Sequence, residues 1–299
     1  MRIRLVMNDG ARARVVSVGK NAVWVMLDNE QSPRVASLKR MSGKRSMVVP
    51  GDVVDVRVLD DGKALLERVH PRDSVLERRT VEGKSKTMAA NVDAMVTVTA
   101  LADPPPRLST LDQLLAFCEF NELYPIVVLT KPDLAAPSER GGIEALYRAL
   151  GYETLVVSPK FGEGMPELRD HLAGRHAMLA GVSGVGKSSI FRWLGGQAVV
   201  GDVSRFGLGR QTTSVARLYR LADGFLIDSP GVAEFGLGAL TAEELVEGFR
   251  ELAEPARHCR FNDCTHVHEP DCGVHAAVRD GRVAESRYDS YRRILQEQR

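Results

Sequence analysis

Residues 177–194 read AMLAGVSGVGKSSIFRWL, and the fold turns on this stretch. Ala177–Ala180 is an apolar strand, a glycine-rich turn follows, and from Lys187 to Leu194 the pattern is helical. The turn, Gly181, Val182, Ser183, Gly184, Val185, Gly186, Lys187 and Ser188, fills GxxxxGK(S/T) at every position, in the strand–loop–helix setting that the pattern needs. Glycines let backbone N–H groups turn inward around phosphate oxygens, and the helix N-terminus adds a field that favours negative charge. Lys187 is expected to reach the outer phosphates, Ser188 to ligate Mg²⁺, and Ser189 to line the same loop. The loop alone does not choose between adenine and guanine.

The base is addressed upstream. The apolar strand PIVVLT ends in Thr130-Lys131-Pro132-Asp133. A carboxylate at that place accepts hydrogen bonds from the N1–H and exocyclic amine of guanine; adenine lacks that donor pair and would leave the carboxylate unpaired. The segment resembles the NKxD motif of GTPases, with the Lys131 stem along the base and Thr130 where Asn is usual. Threonine keeps a hydroxyl and loses the bidentate amide, so lower affinity is expected. The next strand ends in Ser158, Pro159 and Lys160, which resembles the SAK loop whose backbone touches the guanine oxygen.

Downstream, FLI is followed by Asp228-Ser229-Pro230-Gly231, which resembles DxPG. Asp228 is expected to hold Mg²⁺ through water and the Gly231 N–H to sense the γ-phosphate. Between this and the phosphate loop lies GLGRQTTS, residues 207–214, in which Thr212 or Thr213 is expected to close onto Mg²⁺. Val232 stands where many regulatory GTPases carry a water-orienting glutamine, so Gln211 is the candidate for that work and intrinsic hydrolysis is expected to be slow.

The order is therefore guanine motif, phosphate loop, switch threonines, DxPG, whereas ordinary GTPases place the phosphate loop first. That is a circular permutation, which domains tolerate because their termini often lie close together. It leaves the segment after DxPG tethered to the γ-phosphate sensor, so hydrolysis is expected to reposition the C-terminal unit.

Outside this centre the patterning changes twice. Residues 1–75 alternate as short strands, Ala13–Val18, Ala22–Leu27, Arg34–Leu38, Asp52–Leu59 and Ala64–Val69, separated by Asn-Asp-Gly and Pro-Gly-Asp turns. Five such strands fit a small oligonucleotide-binding (OB-like) barrel, and an unrelated small barrel fits nearly as well. Residues 90–235 alternate strand and helix, including a helix Leu111–Leu123 capped by Thr110, which implies a parallel sheet covered on both faces. From about 236, Thr241 and Glu244 form a capping box for a helix to about Ala253. A final helix, about Val283–Gln298, places Tyr288, Tyr291, Ile294 and Leu295 on one face. Three units, 1–75, 76–235 and 236–299, are expected.

The 299 residues carry net charge +1, with 44% hydrophobic and 26% charged residues, an ordinary globular balance. Residues 1–80 hold 16 basic against 10 acidic side chains, so the basic barrel points to a polyanionic partner, nucleic acid first. No apolar run approaches a membrane span and the start lacks a signal core, so a cytoplasmic protein is expected. Cys259, Cys264, His266 and Cys272 supply three thiolates and an imidazole, a set suited to tetrahedral structural zinc, and His258, His268 and His275 compete less well.

The permuted order, the barrel and the Cys/His cluster together resemble the ribosome small subunit-dependent GTPase A family (RsgA/YjeQ type) over essentially the whole chain. Pro71-Arg72 leading to Arg78-Arg79, Asn91-Val-Asp93, and GRQTTS beside the family's GRHTT carry the same likeness. It implies a GTPase using GTP/GDP, Mg²⁺ and Zn²⁺, acting late in assembly of the 30S subunit, contacting 16S rRNA and stimulated by that subunit, here expected as a monomer. Gln211 replaces a family histidine implicated in hydrolysis. The competing readings are a P-loop ATPase or small-molecule kinase, against which Asp133 argues, and an RNA-binding scaffold with a structural nucleotide site.

Overall fold

The computed structural model describes residues 10–19, 23–28, 30, 32–38, 48–79, 85–194, 217–221, 224–228 and 240–297. Residues 207–214 and Gly231, with Gln211, Thr212 and Thr213 among them, lie outside the described residues.

Strands β1 (Ala11–Val18), β2 (Val23–Leu27), β3 (Arg34–Leu38), β4 (Val53–Val58) and β5 (Ala64–Val69) close into a barrel in the order β1-β2-β3-β5-β4. All pairs are antiparallel except β3 with β5, which closes the barrel in parallel. Alternate residues fill its interior: Ala13, Val15, Val23, Val25, Val54, Val56, Ala64 and Leu66. A hairpin that the alternation did not reveal follows, β6 (Val75–Arg79) with β7 (Ser85–Ala90); SKTMAA is a weak strand former and gains its pairing from β6 alone.

The barrel meets the next unit at the turn Pro50-Gly51-Asp52. Gly51 has φ +92°, and a Cβ on it would lie 2.0 Å from the Ala90 carbonyl oxygen, so glycine is required there. Asp52 is fully buried; it accepts Arg72 Nε at 2.7 Å and the Val49 N–H at 2.8 Å. Asn91 donates to the Gly51 carbonyl at 2.9 Å and accepts the Asp73 N–H at 2.8 Å. The Pro71-Arg72 and Asn91-Val-Asp93 segments are thus parts of one polar knot between barrel and sheet.

The central sheet runs β10 (Glu153–Val157), β9 (Tyr124–Thr130), β8 (Ala94–Ala100), β11 (His176–Ala180), β13 (Phe225–Asp228), β12 (Arg217–Arg220). It is parallel except for β12, which pairs antiparallel with β13. Alternate strand residues face opposite layers. Val127 and Leu129 pack with Leu111, Leu115 and Tyr147 of α1 (Leu108–Phe120) and α2 (Pro137–Ala149). Ile126 and Val128 pack with Leu168 of α3 (Met165–His171) and Ile190 of α4 (Lys187–Trp193).

One helix start differs from expectation. Thr110 lies inside α1, whose N-cap is Arg107 with no side-chain cap; the helix begins directly after the Pro104–Pro106 run. α2 begins at Pro137, whose fixed φ suits a first helical position. The capping box at Thr241 forms as read, with the Glu244 N–H donating to Thr241 Oγ1 at 3.1 Å and the Thr241 N–H to Glu244 Oε2 at 2.8 Å. The helix it opens is broken into α5 (Ala242–Glu247) and α6 (Arg250–Ala256). At the break, Gly248 passes so close to α1 that a Cβ would lie 2.9 Å from the Ala116 Cβ. α7 (Gly273–Arg279) and α8 (Glu285–Glu297) complete the chain, and α8 lies along α1. No helix among the described residues is long and apolar enough to cross a membrane.

Candidate nucleotide site and metal centre

The carboxyl ends of the parallel strands bring the sequence motifs to one edge of the sheet, the edge at which open α/β sheets bind ligands. Thr130 ends β9, Ser158 follows β10, Gly181 follows β11 and Asp228 ends β13. Thr130 is level with Val157 and Ala100, and Asp228 is level with Leu179.

The phosphate loop passes directly over β8. Gly181 has φ +148°, and a Cβ there would lie 2.2 Å from the Val98 carbonyl oxygen. Gly186, with φ +102°, is the left-handed residue that opens α4. Val185 turns into the core while Ser183 and Gly184 stay outside. Lys187 Nζ donates to the Gly181 and Val182 carbonyls at 2.8 and 2.7 Å, so the ammonium is held over the loop's mouth. Burial lowers its pKa and the charge of Asp228 pulls it back up. A cradle that only glycine fits, with an ammonium over it, suits a polyphosphate.

On the base side, Lys131 takes the left-handed conformation (φ +56°) and donates through Nζ to the Asp103 carbonyl. Asp133 lies in a 3₁₀ turn, Pro132–Leu134, with Lys160 Nζ 4.0 Å from its Oδ2. Ser158 is buried and its N–H donates to the Glu163 carbonyl at 2.8 Å, folding the Pro159-Lys160 loop back toward Asp133. Thr130, 1% exposed, donates through Oγ1 to the Val185 carbonyl at 2.6 Å, with the Thr99 carbonyl at 3.3 Å. The threonine therefore bolts the base-side strand to the phosphate loop, a role that the motif comparison alone did not disclose.

In the C-terminal unit, Cys259, Cys264, His266 and Cys272 present ligand atoms all within 4.8 Å of one another. Cys259 Sγ lies 3.8 Å from Cys272 Sγ, and His266 Nδ1 lies 3.4 and 3.5 Å from those two sulfurs. A tetrahedral zinc, with bonds of about 2.3 Å to sulfur and about 2.0 Å to nitrogen, spaces its ligand atoms by about 3.5–3.8 Å, so the cluster fits one such ion. Burial pushes the Cys264 thiol up to about 12, and a cation is the charge that would bring out the thiolate. His258 instead pairs with Glu254 at 2.8 Å, and His275 Nε2 lies 2.8 Å from the Tyr288 hydroxyl, which donates to the His266 carbonyl at 2.7 Å. Glu269 clasps the ligand loop: it accepts Thr265 Oγ1 at 2.6 Å and the N–H groups of Thr265, Val267 and His268 at 3.0–3.1 Å.

The RsgA GTPase family model matches residues 69–238. The chain belongs to the RsgA GTPase family. As a member it is a GTP-hydrolysing enzyme. The small ribosomal subunit biogenesis GTPase RsgA of Sodalis glossinidius (strain morsitans) is 44% identical over 240 residues, covering 77% of this chain and 69% of that protein. The protein of the same name from Haemophilus influenzae (strain PittGG) is 38% identical over 294 residues, 94% of this chain and 84% of that one. Among solved structures, YjeQ from Thermotoga maritima superposes with a TM-score of 0.75 at 31% identity, over 96% of this chain and 98% of that one. YloQ, titled a circularly permuted GTPase, gives 0.70 at 24% identity over 99% and 97%, and shares the fold. The permuted order read from the motifs is the one that YloQ's title names.

Helical patterning left one feature of this RsgA-family chain unseen. Arg287 of α8, 1% exposed, bonds Asp112 of α1 at 2.5 Å and Glu251 of α6 at 2.6 and 3.2 Å, over the Phe249 ring at 4.5 Å. Tyr147 of α2 donates to the same Asp112 oxygen at 2.7 Å. The only signal in sequence is a charge at a helix position that the apolar rows would bury.

Proposed function

We propose that this chain hydrolyses GTP to GDP and phosphate while docked on the small (30S) ribosomal subunit, as a late maturation factor. The observation that carries the reading is the single sheet edge on which Asp133, the Ser158-Pro159-Lys160 loop, the Gly181–Ser188 loop and Asp228 converge. In this reading Asp133 selects guanine, Lys131 and Lys160 flank the base, and the loop N–H groups with Lys187 hold the phosphates. Ser188, Thr212 or Thr213, and Asp228 hold Mg²⁺, Gly231 senses the γ-phosphate, and Gln211 orients the attacking water. Magnesium supplies charge neutralisation between the outer phosphates when bound. Cys259, Cys264, His266 and Cys272 hold one zinc that staples the 236–299 unit. Residues 1–75 form the rRNA-contacting barrel and 76–235 the nucleotide unit. The relatives' names carry the small subunit as partner, which supports a cytoplasmic protein, and the basic N-terminal third supports 16S rRNA as the contact; the chain acts as a monomer in this reading.

The test is GTP turnover by the purified chain alone, with 30S subunits, with 50S subunits, and with ATP in place of GTP. Stimulation by 30S and not by 50S, with ATP inert, is expected. Turnover that 30S leaves unchanged at modest salt would remove the ribosomal role and leave a slow GTPase.

A further inference from the structure

His176, Phe225 and Arg220 stand in one row across three neighbouring strands at the amino end of the sheet. His176 of β11 is in register with Phe225 of β13, and Phe225 is paired directly with Arg220 of β12. Residues in register share a face of a sheet, and a directly opposed antiparallel pair has its Cβ atoms about 4.5–5.5 Å apart. The barrel covers this row. The Arg14 guanidinium of β1 lies over the Phe225 ring at 4.3 Å, and the His176 ring lies 4.2 Å from the same ring. Arg14, Arg220 and His176, with Asp28 beside the end of β2, line a cavity of about 310 Å³ between barrel and sheet.

The two guanidinium groups in this cavity are short of counter-charge. Arg14 donates through Nη1 to the Gly51 carbonyl at 3.0 Å. Arg220 donates through Nη1 to the Asp28 and Glu30 carbonyls at 2.8 and 3.3 Å. Among the described residues, no carboxylate is bonded to either one. The nearby acids are engaged elsewhere: Glu30 with Arg34 at 2.6 Å, and Asp93 with the His176 backbone N–H at 3.1 Å and ring Nδ1 at 3.2 Å. Burial lowers the pKa of Arg14; the charge of Asp28 raises it, Arg12 lowers it and Asp73 raises it, each by less. Burying a charge without a bonded partner is costly, and a guanidinium has five N–H donors to offer one.

We infer that this cavity is a phosphate-group site, in which Arg14 of the barrel and Arg220 of the sheet edge hold one anionic group across the seam. Planar guanidinium forks match phosphate oxygens with paired hydrogen bonds. A group held from both sides supplies the counter-charge that the seam lacks and ties the barrel to the sheet. The site lies at the opposite end of β11 and β13 from Gly181 and Asp228, so it is separate from the phosphate loop. Its occupant is a free phosphate or one phosphate of an RNA strand crossing the seam; the recognising chemistry is the same.

The test uses the full, zinc-loaded chain with saturating GDP and Mg²⁺, so that the phosphate loop is filled. Inorganic phosphate is titrated by calorimetry, and a labelled single-stranded oligouridylate by fluorescence anisotropy. The chains compared are the parent, Arg14→Gln, Arg220→Gln and Arg68→Gln; Arg68 is exposed on β5 of the same barrel and does not line the cavity. Arg14→Gln and Arg220→Gln should each weaken binding of at least one probe by about tenfold or more, the effect of losing a hydrogen bond to a charged group. Arg68→Gln should weaken neither by more than about twofold. GDP affinity should be kept in every variant, which also reports an intact fold. Weakening with both probes marks a site open to free phosphate, and weakening with RNA alone marks a backbone phosphate. Parent binding of both probes no tighter than that of the folded cavity variants overturns the inference. So does an Arg68→Gln chain that loses as much as they do, which would make the effect one of net charge. If Arg14→Gln loses GDP binding through misfolding, Arg220→Gln decides, because Arg220 is exposed.

Discussion

Replacing Arg287 by Met keeps an unbranched, largely apolar stem out to about the position of Nε and removes the charge. The parent arginine is 1% exposed, and its partners Asp112 and Glu251 are 1% and 8% exposed, so neither carboxylate can turn to water when the guanidinium goes. Three charge-assisted hydrogen bonds and the stack over Phe249 are lost together. Removing one partner of a buried pair costs about 3–5 kcal/mol, chiefly because the other charge is left uncompensated. Against a total domain stability of about 5–15 kcal/mol, that is a large share. Equilibrium urea unfolding followed by far-UV circular dichroism measures it, in the transition that includes α1 and α8. Adding Asp112→Asn to Arg287→Met should recover part of the loss, since the orphaned charge is gone while the amide oxygen still accepts from Tyr147. The pH dependence has a definite sign. Burial raises the pKa of Asp112 even with Arg287 beside it, and losing the guanidinium raises it further. A carboxyl whose folded pKa lies above its unfolded value of about 3.9 stabilises most below that value and loses the contribution as pH rises through the folded pKa. The deficit of Arg287→Met should therefore shrink as pH is lowered from 7 toward 4. A cost below about 1 kcal/mol, or a double variant no more stable than the single one, would refute the reasoning.

Three further outcomes are expected. Gly181→Ala forces a Cβ to 2.2 Å from the Val98 carbonyl oxygen at φ +148°, so the loop must shift and GDP binding by titration should fall below detection while far-UV dichroism is kept. Thr130→Val leaves the Val185 carbonyl without its side-chain donor at a buried position; GDP affinity should weaken by about 1–2 kcal/mol, roughly five- to thirtyfold, with the fold retained. Burial pushes the pKa of Glu269 up, but the hydrogen bonds from Thr265 and the N–H groups around it outweigh that and hold it well below the usual carboxylate range. Its support of the ligand loop is thus present above the unfolded value of about 4.3 and is lost as pH falls below it. At pH 7 Glu269→Gln should speed zinc loss to a chelator by about fivefold, and the gap to the parent should close toward acid pH.

Legibility followed locality. The five barrel strands, the sheet strands and the phosphate loop were readable because each is specified by its own alternation, apolar run or glycines: Val54 and Val56 inside, Gly181 and Gly186 at the turn. The Cys259, Cys264, His266 and Cys272 cluster was readable from chemistry, because three thiols and an imidazole within fourteen residues are a donor set suited to one metal ion, and the fold brings them together. What failed depended on distant partners. The α5–α6 break is imposed by Ala116, more than a hundred residues away, against Gly248. The apolar face read on α8 included Tyr291, Ile294 and Leu295 correctly, but the same face buries Arg287 and Ser290 because α1 and α6 bring counter-charges to it. Thr130 looked like a weakened motif residue, and its bond to Val185 depends on two loops meeting in space.

The same network bears on how the C-terminal unit responds to the nucleotide. Permutation joins that unit to the end of β13, so the chain itself ties it to the phosphate side of the sheet. Packing ties it elsewhere: α8 lies along α1, and Arg287 locks α1, α6 and α8 around one buried charge, with Tyr147 of α2 bonded to the same carboxylate. α2 is the helix between Asp133 and the Ser158 loop, so the second anchor stands behind the base-reading side. A displacement of the unit as a whole must either carry α1 with it or open the ion pair, at about 3–5 kcal/mol. Moving a two-state equilibrium from 1:99 to 99:1 takes about 5.5 kcal/mol, so the anchor alone would absorb most of what a nucleotide could contribute. In any repositioning driven by hydrolysis, the α1–α6–α8 junction is therefore expected to move as one piece.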